Sequence, residues 1–310
     1  MIYTVTLNPA LDKTVEIPSM TLDRVNRISK LRTDPGGKGI NVSKVIQKLG
    51  GTSIACGILG GTTGERILAS LKEMGLETCF AWEKGETRTN VKIIDPVCHT
   101  NTDINEPGLT VAVETLDGLR ENLAERIGEG DIAVLSGSLP KGAPEDTYGV
   151  WAARFAKKGA LVFLDADGKP LRNALAAAPF LIKPNHYELS ELMGRELTSV
   201  PELKAAAREL IEQYGICRVV VSMGAEGALY VSRTECIYAK GMRVPVGSTV
   251  GAGDSVVAAL AYAMEKGLGF AEAVRLSAAA GAANVMCSGS QAAEYAVIEE
   301  LLARVELLCV

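Results

Sequence analysis

Apolar positions along the chain fall into two alternating patterns. Short runs rich in β-branched residues, Ile2–Leu7, Ser53–Ile58, Ile132–Leu135, Leu161–Leu164, Phe180–Ile182 and Arg218–Val221, read as buried strands. Between them lie longer stretches with helical spacing: Lys38–Leu49, Thr62–Met74, Val113–Ile127, Asp146–Lys157, Pro201–Tyr214 and Ala252 onward. Thr62, with Glu65 three residues on, reads as a capping-box start. Strands alternating with helices predict an α/β fold, a mostly parallel central sheet with helices on both faces. From Phe270 the pattern is that of two or three further helices.

Segments 12–32 and 87–105 break the rhythm. Thr14-Val15-Glu16-Ile17 and Thr89-Asn90-Val91-Lys92-Ile93 alternate apolar with polar, which predicts antiparallel strands with one solvated face. Both segments lie between βα units, so they are expected to form a small β-sheet over the active site, a lid. Without internal repeats or a long linker, residues 1–310 read as one α/β domain carrying that lid subdomain.

Ligands of such sheets sit beyond the carboxyl ends of the strands, where the Gly-rich turns of this chain fall. The run Val246-Gly247-Ser248-Thr249-Val250-Gly251-Ala252-Gly253-Asp254-Ser255 leads directly into the apolar helix formers of Val256–Met264. A helix N-terminus offers free N–H groups and partial positive charge to an anion. Asp254 in its first turn then has two readings: a helix cap, or the acceptor of a hydroxyl proton while the amides hold a transferring phosphoryl group. Gly36-Gly37-Lys38-Gly39-Ile40-Asn41-Val42 is neither a P-loop nor a dinucleotide fingerprint, because Arg32, Gly39 and Val42 stand at the diagnostic positions. It is a helix-start turn carrying a cation and an amide, suited to a hydroxylated or phosphorylated ligand.

Ser136-Gly137-Ser138 and Lys183-Pro184-Asn185-His186-Tyr187-Glu188 each follow a strand. Glu188 could order Mg²⁺ through water; Asn185-x-x-Glu188 is equally a plausible helix start. Gly224 and Gly227 predict a tight turn into a hairpin after Arg218–Val221. Arg88 is the best candidate for a cation on the lid, with Arg24 and Arg27 behind it.

Composition narrows the choices. A net charge of −5, no dense basic run and 5% aromatic residues argue against nucleic acid as a partner. No apolar run approaches the length of a membrane span, and no secretory leader is expected. Seven cysteines without a C-x-x-C pair fit a reduced, cytoplasmic protein. Two histidines supply neither a Ser-His-Asp triad nor a histidine metal site.

Taken together, Thr6-Leu7-Asn8-Pro9-Ala10-Leu11-Asp12, Asp34-Pro35-Gly36-Gly37-Lys38-Gly39-Ile40-Asn41-Val42 and Thr249-Val250-Gly251-Ala252-Gly253-Asp254, in that order, resemble the ribokinase or PfkB family of carbohydrate kinases. Lys38 and the stretch Thr102–Gly108 look most like the members that phosphorylate fructose 1-phosphate. Kinases of tagatose 6-phosphate are the nearest neighbours and fructose 6-phosphate is a further alternative. The resemblance implies a ribokinase-like fold and transfer from ATP, with Mg²⁺, to a ketohexose phosphate.

By family role, Asp254 is the general base, and the backbone of Gly251, Ala252 and Gly253 is the anion hole. Asp12 and Asn41 hold sugar hydroxyls, with Gly37 and Gly39 at close backbone approach; Lys38, Arg88 and Ser138 hold the sugar's phosphate end. Lys183, Asn185 and Glu188 face the ATP phosphates and Mg²⁺. Ser222, Gly224, Gly227, Ser248 and Thr249 line the nucleotide. A monovalent cation near Gly289 and Ser290 and a homodimer through the lid are further implications. The rivals are a nucleotide-binding oxidoreductase, which lacks its G-x-G-x-x-G, and a non-catalytic sugar-phosphate sensor, which has no need of a base.

Overall fold

The computed structural model describes residues 1–310. In chain order the first unit comprises β1 (Ile2–Thr6), β2 (Ala10–Glu16), β3 (Lys30–Gly36), α1 (Lys38–Lys48), β4 (Ile54–Leu59), α2 (Gly61–Glu73) and β5 (Glu77–Trp82). There follow β6 (Arg88–Asp95), β7 (Thr100–Asn105), α3 (Val113–Arg126), β8 (Ile132–Ser136), α4 (Thr147–Ala156), β9 (Leu161–Asp165) and α5 (Gly168–Ala174). The remainder is β10 (Leu181–Ile182), α6 (His186–Met193), α7 (Val200–Tyr214), β11 (Arg218–Ser222), β12 (Gly227–Ser232), β13 (Cys236–Lys240), α8 (Ala252–Glu265), α9 (Phe270–Val285), α10 (Tyr295–Leu302) and β14 (Leu307–Cys309).

Ten strands form one sheet in the order β14-β13-β12-β11-β10-β9-β8-β1-β4-β5. From β11 to β5 every pairing is parallel; β12, β13 and β14 extend the sheet antiparallel. The six expected strands and the helices between them are all present. Edge strand β5 and the further antiparallel strands β13 and β14 were not expected; the antiparallel return of β12 is the expected hairpin, and β5 is only half-buried with a short apolar run, Cys79–Trp82. One face of the sheet packs under α3, α4 and α7, around Leu123, Trp151, Phe155 and Leu210. The other packs under α1, α8, α9 and α10, around Val42, Ile46, Leu260 and the alanines of α9. Truncating one of these fully buried large side chains to Ala costs about 2–5 kcal/mol.

Local signals set the element ends. Ser199 and Glu202 form a capping box at the start of α7, and Gly215 closes that helix in the left-handed region. The expected box at Thr62 and Glu65 does not form. Helix α2 starts at Gly61, and Glu86 from the following loop accepts the N–H groups of Thr62 and Thr63 instead. A carboxylate distant in sequence thus satisfies the free donors.

The two irregular segments do pair, as a four-stranded sheet of order β3-β2-β6-β7. One correction is needed: β2 pairs with β3 antiparallel but with β6 parallel. Alternation of polarity reports a half-buried strand and carries no strand direction. Register puts Asp12, Thr14 and Asn90 on one face of this sheet and Val15, Leu31, Val91, Ile93 and Ile104 on the other. Of the cysteines, all seven are free; Cys98, Cys217 and Cys309 are exposed, so not every one is a buried hydrophobe.

Candidate active site

The polar residues converge where the carboxyl ends of β1, β8, β9, β10 and β11 meet the N-termini of α1 and α8. Gly251 takes φ +81°, a left-handed conformation that turns the chain into α8. The N–H groups of Gly253 and Asp254 in the first turn find no backbone acceptor. They are free donors at the positive end of a 14-residue helix.

Asp254 is buried beside them. Its Oδ2 accepts a hydrogen bond of 2.8 Å from Asn41 Nδ2, which α1 brings in from the first Gly-rich turn. Burial, with the nearby charge of Asp165 adding to it, pushes the Asp254 carboxyl up to about 6. The capping reading therefore fails: no side-chain cap bond forms at the start of α8, and the carboxylate points at Asn41.

Two lysines lie over this helix start. Lys183, leaving β10, would stand 3.2 Å from a side chain placed on Gly253. Lys38, from the start of α1, donates to Asp165 Oδ1 at 2.9 Å, and Lys183 reaches the same oxygen at 3.3 Å. Burial disfavours the charge on Asp165, but the two ammonium groups outweigh it and hold the carboxyl below its ordinary value. Asp165 was not anticipated. Its only sequence signal is a carboxylate at the end of an apolar strand, which any βα turn can show.

Toward the four-stranded sheet, the guanidinium of Arg88 donates to the carbonyls of Asn8 (2.9 Å) and Glu106 (3.2 Å). Asn8 Nδ2 donates to the Ser138 hydroxyl at 3.4 Å. Asp12 accepts from Asn90 Nδ2 at 3.2 Å, while Asn90 Oδ1 and Asn41 Oδ1 are buried without partners. Unpaired buried oxygens of this kind are ready acceptors for hydroxyl groups. Gly37 and Gly39 press on β1 rather than on open space: side chains there would collide with Thr6, and at Gly39 also with the Val5 backbone. Arg24 and Arg27 sit on the exposed loop between β2 and β3.

Asn185 and Glu188 form the capping box that starts α6, which realises the helix-start reading. Glu188 commits Oε2 to that cap. Asn185 bridges to Ser222, and Gly224 and Gly227 take positive φ where β11 turns back into β12, as the expected hairpin requires. Ser248 is buried, its hydroxyl receiving Val250 N–H, and Thr249 is exposed beside it. Ser290 O accepts from the buried ammonium of Lys44 at 2.8 Å. No three His, Cys, Asp or Glu side chains gather as a metal cage.

Residues 5–296 match the family described as pfkB family carbohydrate kinase. The 1-phosphofructokinase of Bacillus subtilis is 40% identical over 307 residues, covering 99% of each chain. That of Rhodobacter capsulatus is 42% identical over 279 residues, covering 90% of this chain and 88% of its own. The crystal structure of phosphofructokinase-2 from Escherichia coli in complex with potassium superposes with a TM-score of 0.93 at 33% identity, covering 98% of each chain.

Proposed function

The chain belongs to the pfkB family of carbohydrate kinases, and we propose that it phosphorylates fructose 1-phosphate with ATP, giving fructose 1,6-bisphosphate and ADP. The observation that carries this is the buried Asp254 carboxylate beside two open N–H groups and below two lysines. The acceptor is argued from the names of the relatives and from Lys38 in the first Gly-rich turn.

Asp12, Asn41 and Asn90 receive the sugar hydroxyls; Arg88, Ser138 and Lys38 take its phosphate. The acceptor hydroxyl then gives its proton to Asp254 as its oxygen attacks the γ-phosphorus of ATP. The backbone of Gly251, Ala252 and Gly253 and the ammonium of Lys183 hold the transferring group, whose loose transition state needs positioning and charge more than covalent help. Ser222, Gly224, Gly227, Ser248 and Thr249 line the nucleotide, and Asn185 braces Ser222. Glu188 would hold Mg²⁺ through water, and the ion would neutralise charge on the ATP phosphates. Gly289 and Ser290 flank the place for a monovalent cation.

The four-stranded sheet is the lid, its polar face on the sugar. Its other face leaves Leu31 and Ile104 more than half exposed, and Leu22, Val25 and Ile28 project from the adjoining loop. Apolar surface of this kind on one face suits a homodimer through the lid. No helix is long and apolar enough to cross a membrane; the seven free thiols support a reducing, cytoplasmic setting.

The test is ADP release with Mg²⁺-ATP against fructose 1-phosphate, fructose 6-phosphate, tagatose 6-phosphate and fructose. A kcat/KM at least about tenfold higher for fructose 1-phosphate, about 1.4 kcal/mol in transition-state binding, is expected. Preference for tagatose 6-phosphate or fructose 6-phosphate moves the acceptor and keeps the site. Silence with all four overturns the reading.

A further inference from the structure

Helix α9 is built almost entirely of small apolar residues where it meets α8, yet it carries a buried amide, Asn284, at its end. A polar group placed there is destabilising unless it is hydrogen-bonded. Asn284 Nδ2 donates to the carbonyl of Val250 at 2.8 Å. The same nitrogen packs 3.0 Å from where a side chain on Gly251 would begin.

Val250 is the residue whose carbonyl matters most to the helix start. In a regular α-helix the N–H of residue i bonds the carbonyl of residue i−4, so Val250 O is the natural acceptor for Asp254 N–H. Were it free to turn inward, α8 would wind back by one residue and its first open donor would close. Gly251 in the left-handed region allows the carbonyl to turn away, and Asn284 gives it a partner when it does. Gly247 N and Ser248 N both donate to Val285 O, at 2.8 and 3.1 Å, so the incoming loop is stitched to the end of α9. Of these three bonds only the one from Asn284 depends on a side chain.

We propose that Asn284 is a positioning residue that keeps the anion hole open by holding the Val250 carbonyl away from the start of α8. It touches no reacting atom; it preserves the orientation of the donors that do. The inference rests on the kinase reading above and adds a residue outside both substrate sites.

The experiment compares Asn284→Ala, Asn284→Asp and the unaltered chain by steady-state kinetics, with thermal unfolding measured alongside. Asp has the shape of Asn but, ionised, offers no donor. Loss of one donor directly on an oxyanion lowers kcat by about 10²–10³-fold; acting through the backbone, Asn284→Ala should lower it about 10–100-fold. The KM for the sugar phosphate should stay within about threefold, because Asp12, Asn41 and Arg88 are untouched. Asn284→Asp, when ionised, should lose at least as much activity and also lower the unfolding midpoint, because an unpaired charge is buried against a carbonyl, so its kcat is read per folded enzyme. A kcat within about threefold of the unaltered chain in Asn284→Ala overturns the inference and leaves the kinase reading standing. So does a loss that follows the folded fraction, or a rise in both KM values at constant kcat. An unaltered chain that releases no ADP with any acceptor overturns both.

Discussion

Lys38 donates to Asp165 Oδ1 at 2.9 Å across 127 residues of chain, and that bond joins the sugar-side turn to the middle of the sheet. Lys183 shares the oxygen. A single buried carboxylate thus fixes two cations over the start of α8, and its negative charge also raises the Asp254 carboxyl. Asp165→Asn would leave Lys183 buried without a counter-charge and Lys38 half-covered. Breaking a buried pair on one side costs about 3–5 kcal/mol, with the lower end expected because Lys38 reaches solvent. Denaturant unfolding should show that loss, and the acid limb of kcat/KM should move below that of the unaltered enzyme. An unmoved limb would mean that Asp165 does not act on Asp254.

The acid limb itself follows from Asp254. A base works as the carboxylate, so kcat/KM should fall as pH drops through about 6, the value to which burial and Asp165 raise this group. The stability effect has the opposite sign. The folded state holds this proton more tightly than the unfolded chain, so ionised Asp254 destabilises the fold. That penalty is absent below about pH 3, small at pH 4, grows up to about pH 6 and persists above it, at most about 3 kcal/mol. Asp254→Asn should therefore lower kcat about 10²–10⁴-fold, leave both KM values similar, and unfold at higher denaturant at pH 8 but not at pH 3.

The sheet and its helices were legible in the sequence because buried parallel strands and amphipathic helices leave different apolar periods. The Gly-rich turns were legible because left-handed and close-packed positions demand small residues. What was hidden depends on distant pairing. Asp165 looks like the polar end of any strand until Lys38 and Lys183 are brought to it. Asn284 is one polar residue among alanines, and its partner is a backbone carbonyl that no composition reveals. The parallel pairing of β2 with β6 joins segments some eighty residues apart. At Gly37 and Gly39 a side chain would also collide with β1, a packing demand on the first turn that the sequence does not reveal.

Arg88 tests the proposed division between the two substrates. Its guanidinium spans the carbonyls of Asn8 and Glu106, and Asn8 in turn reaches Ser138. A hydrogen bond to a charged group contributes about 1.5–3 kcal/mol. Arg88→Ala should therefore raise the KM for the sugar phosphate by about 10–100-fold and leave the KM for ATP within about twofold. Arg88→Lys should recover little, because an ammonium cannot span both carbonyls as the planar fork does. Equal rises in both KM values would remove Arg88 from the phosphate site.

The outer face of the four-stranded sheet tests the assembly. Leu31 and Ile104 are 56% and 54% exposed in the single chain, and register sets them on the same face as Val15, Val91 and Ile93. In a two-fold interface each substitution enters twice, so one unpaired carboxylate per copy brings two desolvation penalties of about 1–3 kcal/mol or more. Leu31→Asp should convert a dimer into a monomer in sedimentation velocity, whereas Leu268→Asp, on the exposed turn between α8 and α9, should leave the mass unchanged. Because the opposite face of the same strands carries Asp12 and Asn90, the monomeric variant should also bind the sugar phosphate more weakly while its KM for ATP holds. A lid that needs a partner to stay in place loses sugar affinity together with mass. A lid that stands alone loses mass only, and an unaltered chain that sediments as a monomer at tens of micromolar ends the dimer reading.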